Sequence, residues 1–141
     1  MDIKRLSLIA SLLIVCVPAQ ACPEQPPAQR LQEAIQAKKD LALVEVAADT
    51  PQAQPASDFA ILKVIQGWGA SKRRHLTYAR EESSCGPLEK LDMSGRYLVV
   101  LELYKVTDIF EYSAVKKLLK PLGGPDYKYN RKGKLIRKSA N

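Results

Sequence analysis

The chain has 141 residues, 46% of them apolar, and a formal net charge of +7. That is the size of one domain with a hydrophobic core. The charge is uneven: residues 126–141 hold six cations against one acid, while residues 22–125 come to only +1. This excludes a protein that presents a basic surface on all sides and concentrates the excess in one segment.

Taken in chain order, the first element is an export signal. Lys4 and Arg5 precede an apolar run from Leu6 to Val17, Pro18 breaks it, and Ala19 and Ala21 stand where a signal peptidase reads. The run is shorter than the roughly 20 residues that span a bilayer, so removal of residues 1–21 is expected rather than retention as an anchor. The mature chain then starts at Cys22. Cys16 leaves with the signal, and Cys22 and Cys85 are the two cysteines left in an oxidising compartment. Two fates are open to Cys22, a disulfide to Cys85 or a lipid on its sulfur, and they exclude each other. A bridge would close a long loop and stabilise by about 4 kcal/mol.

Pro23, Pro26 and Pro27 keep the next residues extended, and residues 28–39 place Leu31, Ala34, Ile35 and Lys38 at helical spacing. Residues 41–47 read as an apolar strand, and the stretch to Pro55 as a loop. Residues 57–66 form a second strand, closed by a turn at Gly67, Trp68 and Gly69. After the cations Lys72, Arg73 and Arg74, residues 76–80 alternate as a third strand, followed by a loop through Cys85. Residues 97–104 are the most apolar stretch of the mature chain. Leu98, Val99, Val100 and Leu101 predict a strand buried on both faces. Ser113 is placed to cap a helix with Val115, Leu118 and Leu119 on its apolar stripe. Residues 126–138 predict a hairpin turning near Gly133, or else a solvated basic end.

Short strands at close spacing predict an all-β domain, a small sandwich or barrel. The order of pieces resembles the netrin-like module, the oligonucleotide/oligosaccharide-binding-fold (OB-fold) barrel also found in tissue inhibitors of metalloproteinases and in small bacterial secreted proteins. The pieces are Cys22 with prolines after it, a short helix, DLALVEVAAD, FAILKVIQGWG, SSCG and GRYLVVLELY, covering roughly residues 22–104. The resemblance implies a small closed barrel of about five strands with a short N-terminal and a C-terminal helix, spanning residues 22–125. It also implies a bridge from Cys22 to the cysteine at position 85. The chain departs from the animal inhibitors in lacking their Cys-x-Cys start and further disulfides.

Candidate chemistry is sparse. In the inhibitors the free amine and carbonyl of the first residue chelate a target's zinc, so the resemblance makes Cys22 a possible inhibitory residue. His75 is the single histidine and reads as a solvated strand end rather than a metal ligand. Ser83 and Ser84 have no base placed for them by a motif, and the adjacent Glu81 and Glu82 would point to opposite faces of a strand. No catalytic residue, metal site or cofactor is expected.

The segment Lys128, Arg131, Lys132, Lys134, Arg137 and Lys138, with Tyr127 and Tyr129, combines cations with rings and is the candidate anion-binding region. Export argues against nucleic acid as the partner and in favour of a protein or an anionic envelope component. The expectation is therefore a secreted or periplasmic, non-enzymatic binding module. The alternatives are a metalloprotease inhibitor working through Cys22, and a membrane-anchored lipoprotein if Cys22 is lipidated.

Overall fold

The computed structural model describes residues 25–48, 59–79 and 91–138. The signal region, Cys22, Cys85, Ser83, Ser84, Glu81 and Glu82 lie outside them. The described chain runs α1 (Pro27–Gln36), β1 (Asp40–Val46), β2 (Phe59–Trp68), β3 (His75–Ala79), β4 (Arg96–Glu102) and β5 (Lys105–Glu111). It continues with α2 (Tyr112–Val115), a 3₁₀ segment (Lys116–Leu122), β6 (Tyr127–Tyr129) and β7 (Leu135–Arg137).

All seven strands join one antiparallel sheet in the order β5-β4-β1-β2-β6-β7, with β3 also on β2. β2 is long enough to be shared. Its far edge takes β3 along residues 59–63 and β6 at Gln66 and Gly67. The sheet curls until β3 and β5 approach within 8 Å between Cα atoms. Two bulges assist the bend: Ile65 is the extra residue opposite Leu43 and Val44, and Thr107 the extra one opposite Val100 and Leu101. The mostly β character expected from the sequence is present as one curled antiparallel sheet of seven strands, and no ladder joins β3 to β5 among the described residues.

The central strands are apolar at successive positions because both of their faces are covered. On the concave face Ala42, Val44, Val99 and Leu101 pack with Leu62, Leu76, Ile109 and Tyr127. On the convex face Leu41, Leu43, Leu98 and Val100 meet Leu31 and Ala34 of α1, Val115 of α2 and Leu119 of the 3₁₀ segment. β4 is buried from Tyr97 through Leu101, as the run of apolar residues predicted.

Other sequence expectations move. β2 continues through Gly67 and Trp68, where a turn was expected. Gly67 serves there as a gap, since a Cβ would stand 2.3 Å from the Tyr127 hydroxyl oxygen, and Trp68 covers the convex face with its indole N–H donating to the Gly123 carbonyl at 3.4 Å. The second helix begins after Glu111 rather than at Ser113 and tightens to 3₁₀ geometry ahead of Pro121. α1 ends earlier than expected, with Lys38 at φ 54° and the Lys38 and Lys39 N–H groups donating back to Ile35 and Ala34. This is a left-handed helix end that glycine usually fills. β5 was not anticipated at all.

Candidate anion-binding face

The turn from β2 to β3 is gripped by two carboxylates. Gly69, at φ 108°, donates its N–H to Asp126 at 2.7 Å. The Asp40 carboxylate accepts from the N–H groups of Ala70 at 3.3 Å and Ser71 at 3.1 Å, and from the Ser71 hydroxyl at 2.7 Å. Ser71 is buried as a result, while Lys72 and Arg73 beyond it are exposed. Backbone donors satisfied by fixed carboxylates hold a loop in one shape, so the three cations that follow are presented from a rigid base.

That base is sewn to the C-terminal hairpin. The Tyr129 hydroxyl donates to the Lys72 carbonyl, the Arg74 guanidinium lies 5.0 Å from the centre of the Tyr129 ring, and Arg74 also donates to the Val64 carbonyl. The turn between β6 and β7 passes close by, because a Cβ on Gly133 would stand 3.7 Å from Arg74 Nε. Arg131, Lys132 and Lys134 belong to that turn and are exposed. On the other flank Arg73 stacks on Tyr104 at 4.4 Å, tying in the turn between β4 and β5. Stacking leaves guanidinium N–H edges available while fixing the plane of the group.

The structure therefore divides the six expected cations. Arg131, Lys132 and Lys134 join Lys72, Arg73 and Arg74 in one face. Lys128 alternates with Tyr127 and Tyr129 and projects from the opposite side of β6, paired with Gln66 and Ile136. Arg137 and Lys138 sit at the hairpin's base, where the Lys138 N–H donates to the Asp126 carbonyl. Of the two readings of residues 126–138, the hairpin is the one the structure shows, paired on β2 with Tyr127 only 1% exposed. Sequence reasoning missed the contribution of Lys72, Arg73 and Arg74. Their signal was visible as three consecutive cations after a Gly-Trp-Gly corner, but only the tertiary contact with Tyr129 joins them to the hairpin.

Burial raises the pKa of the Tyr127 and Tyr129 phenols, and for Tyr129 the Arg74 charge opposes the rise. Both stay neutral at ordinary pH. None of the six cations in the face has a carboxylate within 4.0 Å among the described residues; the ion pairs found there are Arg30 with Asp108, Lys39 with Glu102 and Arg96 with Glu45. His75 is exposed at the start of β3, opposite Lys63.

A second feature is a cleft of about 370 Å³ between α1 and β5, lined by Arg30, Lys39 and Asp108 among others. Arg30 approaches Asp108 at 3.3 Å and the Phe110 ring at 5.2 Å. Burial raises the Asp108 pKa above the usual carboxylate range and outweighs the opposing pull of Arg30. These contacts use the guanidinium to pin α1 to the sheet.

Compared with protein-family models, curated proteins and solved structures, the chain matches none of them.

Proposed function

We propose that this protein is an exported, non-enzymatic binding module whose face of Lys72, Arg73, Arg74, Arg131, Lys132 and Lys134 takes an anionic component of the cell envelope. The observation that carries the reading is the convergence of two cationic turns on one rigid base. Like charges are held together there with no carboxylate within 4.0 Å of any of them among the described residues, an arrangement that costs stability unless a ligand's negative charge uses it. Export rests on residues 1–21, and a Cys22–Cys85 bridge completes the proposal as a staple for the N-terminus.

The OB-fold-like barrel belongs to the same proposal. It is supported by the strand order β3-β2-β1-β4-β5 and by the approach of β3 to β5, with β6 and β7 added on β2.

Titration with heparin fragments as a probe polyanion tests the face. Binding is expected to weaken as salt rises. Replacing Arg131, Lys132 and Lys134 by Gln should weaken it by on the order of a hundredfold if each cation contributes about 1 kcal/mol. Binding that ignores both salt and these substitutions sinks the reading. Intact mass tests the processing separately: a chain starting at Cys22 that takes up two alkyl groups only after reduction is expected.

A further inference from the structure

The turn between β4 and β5 sits at the rim of the cationic face and breaks a local rule. Its two residues, Leu103 and Tyr104, lie between the paired Glu102 and Lys105 and have φ of 49° and 69°. Two-residue hairpin turns of this hand strongly favour Asn-Gly, because left-handed φ crowds a side chain's Cβ against the backbone. Here the residues are a leucine and a tyrosine. Leu103 is 92% exposed and Tyr104 47% exposed, against almost complete burial of the leucines in β1 to β4. Leu103 holds a strained conformation and buries almost nothing, so the turn is a pointer to function.

We infer that Leu103 and Tyr104 form an apex that dips into the interfacial layer of an anionic phospholipid bilayer while the cationic face engages the headgroups. This rests on the anion-binding reading and narrows its partner. Arg73 bridges the two parts, because it stacks on Tyr104 and is followed by Arg74, which holds the Tyr129 side of the hairpin. Tyrosine suits the boundary layer, with its ring in the apolar zone and its hydroxyl in water. A leucine at the apex adds apolar burial, and the surrounding Lys and Arg add attraction to negatively charged lipid. A soluble polysaccharide or polynucleotide would use the cations equally well but would leave Leu103 in water. The exposed leucine therefore favours the bilayer.

The test is sedimentation of the purified protein with vesicles of phosphatidylcholine alone, and with vesicles in which part of it is replaced by phosphatidylglycerol. Heparin fragments serve as the soluble arm. Three forms are compared: the native chain, the variant Arg131→Gln/Lys132→Gln/Lys134→Gln, and the apex variant Leu103→Asn, which leaves the stacking of Arg73 on Tyr104 in place. The native chain should bind the anionic vesicles and not the neutral ones. The charge variant should lose vesicle and heparin binding together.

The apex variant should bind heparin as the native chain does and anionic vesicles about tenfold more weakly. Its thermal midpoint should be equal or higher, because asparagine tolerates the left-handed φ of this position better than leucine. Heparin binding without vesicle binding, or an apex variant that binds vesicles like the native chain, overturns the bilayer inference and leaves the anion-binding reading standing. Loss of every binding in the native chain overturns both.

Discussion

The two hairpins that flank the cationic face solve the same problem by opposite means. The turn from β6 to β7 follows local chemistry. Gly133 takes the left-handed position at φ 78°, its N–H donates to the Asn130 carbonyl at 2.9 Å, and the Asn130 side-chain oxygen accepts from the Lys134 N–H at 2.8 Å. The turn from β4 to β5 puts Leu103 and Tyr104 into left-handed φ and sends Leu103 into solvent. The first turn is held by its own sequence. The second is imposed by the pairing of β4 with β5, and it stays where it is because β4 is buried on both faces. The difference teaches that the short β6–β7 hairpin is stable through tertiary anchoring at Tyr127, whereas the β4–β5 hairpin has stability to spare for an unfavourable apex.

The largest test of that contrast is Tyr127→Ala. Removing a ring that is 1% exposed should cost about 3–5 kcal/mol in denaturant unfolding and release protection of the Gln66 and Gly67 amides in hydrogen exchange. A loss below about 1 kcal/mol would mean that the hairpin is not anchored through the core. The reciprocal change, Gly67→Ala, forces a methyl against the same ring and should cost about 1–3 kcal/mol. Much of that should return when Tyr127 is shortened to Leu in the same chain, as measured by a double-mutant cycle.

Alkali provides a third test. Burial raises the pKa values of Tyr127, Tyr97 and Tyr129 in the folded state, so the fold favours the protonated phenols. Their contribution is complete below the unfolded value near pH 10 and is lost as pH rises from there toward the raised folded values. Stability should therefore decline above about pH 10, and less steeply in Tyr127→Phe. An unchanged slope in that variant would show that Tyr127 does not drive the decline.

The smallest effects carry opposite signs at the two turns. Gly133→Ala should cost about 1 kcal/mol by placing a Cβ at a left-handed position. The paired change Leu103→Asn/Tyr104→Gly should gain about 1 kcal/mol, less what the stacking of Arg73 on Tyr104 contributes. Equal signs from thermal unfolding would erase the distinction between the two hairpins.

Residues whose pattern repeats locally were readable in advance. The helix of Leu31 and Ala34, the strands around Val44 and Leu76, the doubly buried Leu98 to Leu101 and the hairpin turning at Gly133 all follow from periodicity or turn chemistry. β5 was not, because Leu103 and Tyr104 lack any turn signal and residues 105–111 mix charged with apolar side chains. Gly67 looked like punctuation because its reason for being glycine, the Tyr127 ring, is 60 residues away. Half of the cationic face was legible as a charge-rich segment, and the half from Lys72 to Arg74 was not.

By itself the sequence determined the β-rich character, the central strand, the approximate helices and the placement of excess positive charge near the C-terminus. Each of these is written in side-chain spacing or composition, which act over a few residues. The tertiary structure alone decided that the sheet curls as seven strands, that the C-terminal hairpin pairs with β2, and that two separate cationic turns meet beside an exposed leucine. Those outcomes depend on which distant surfaces exclude water together, and no local pattern specifies the partner of a strand edge or of an aromatic ring.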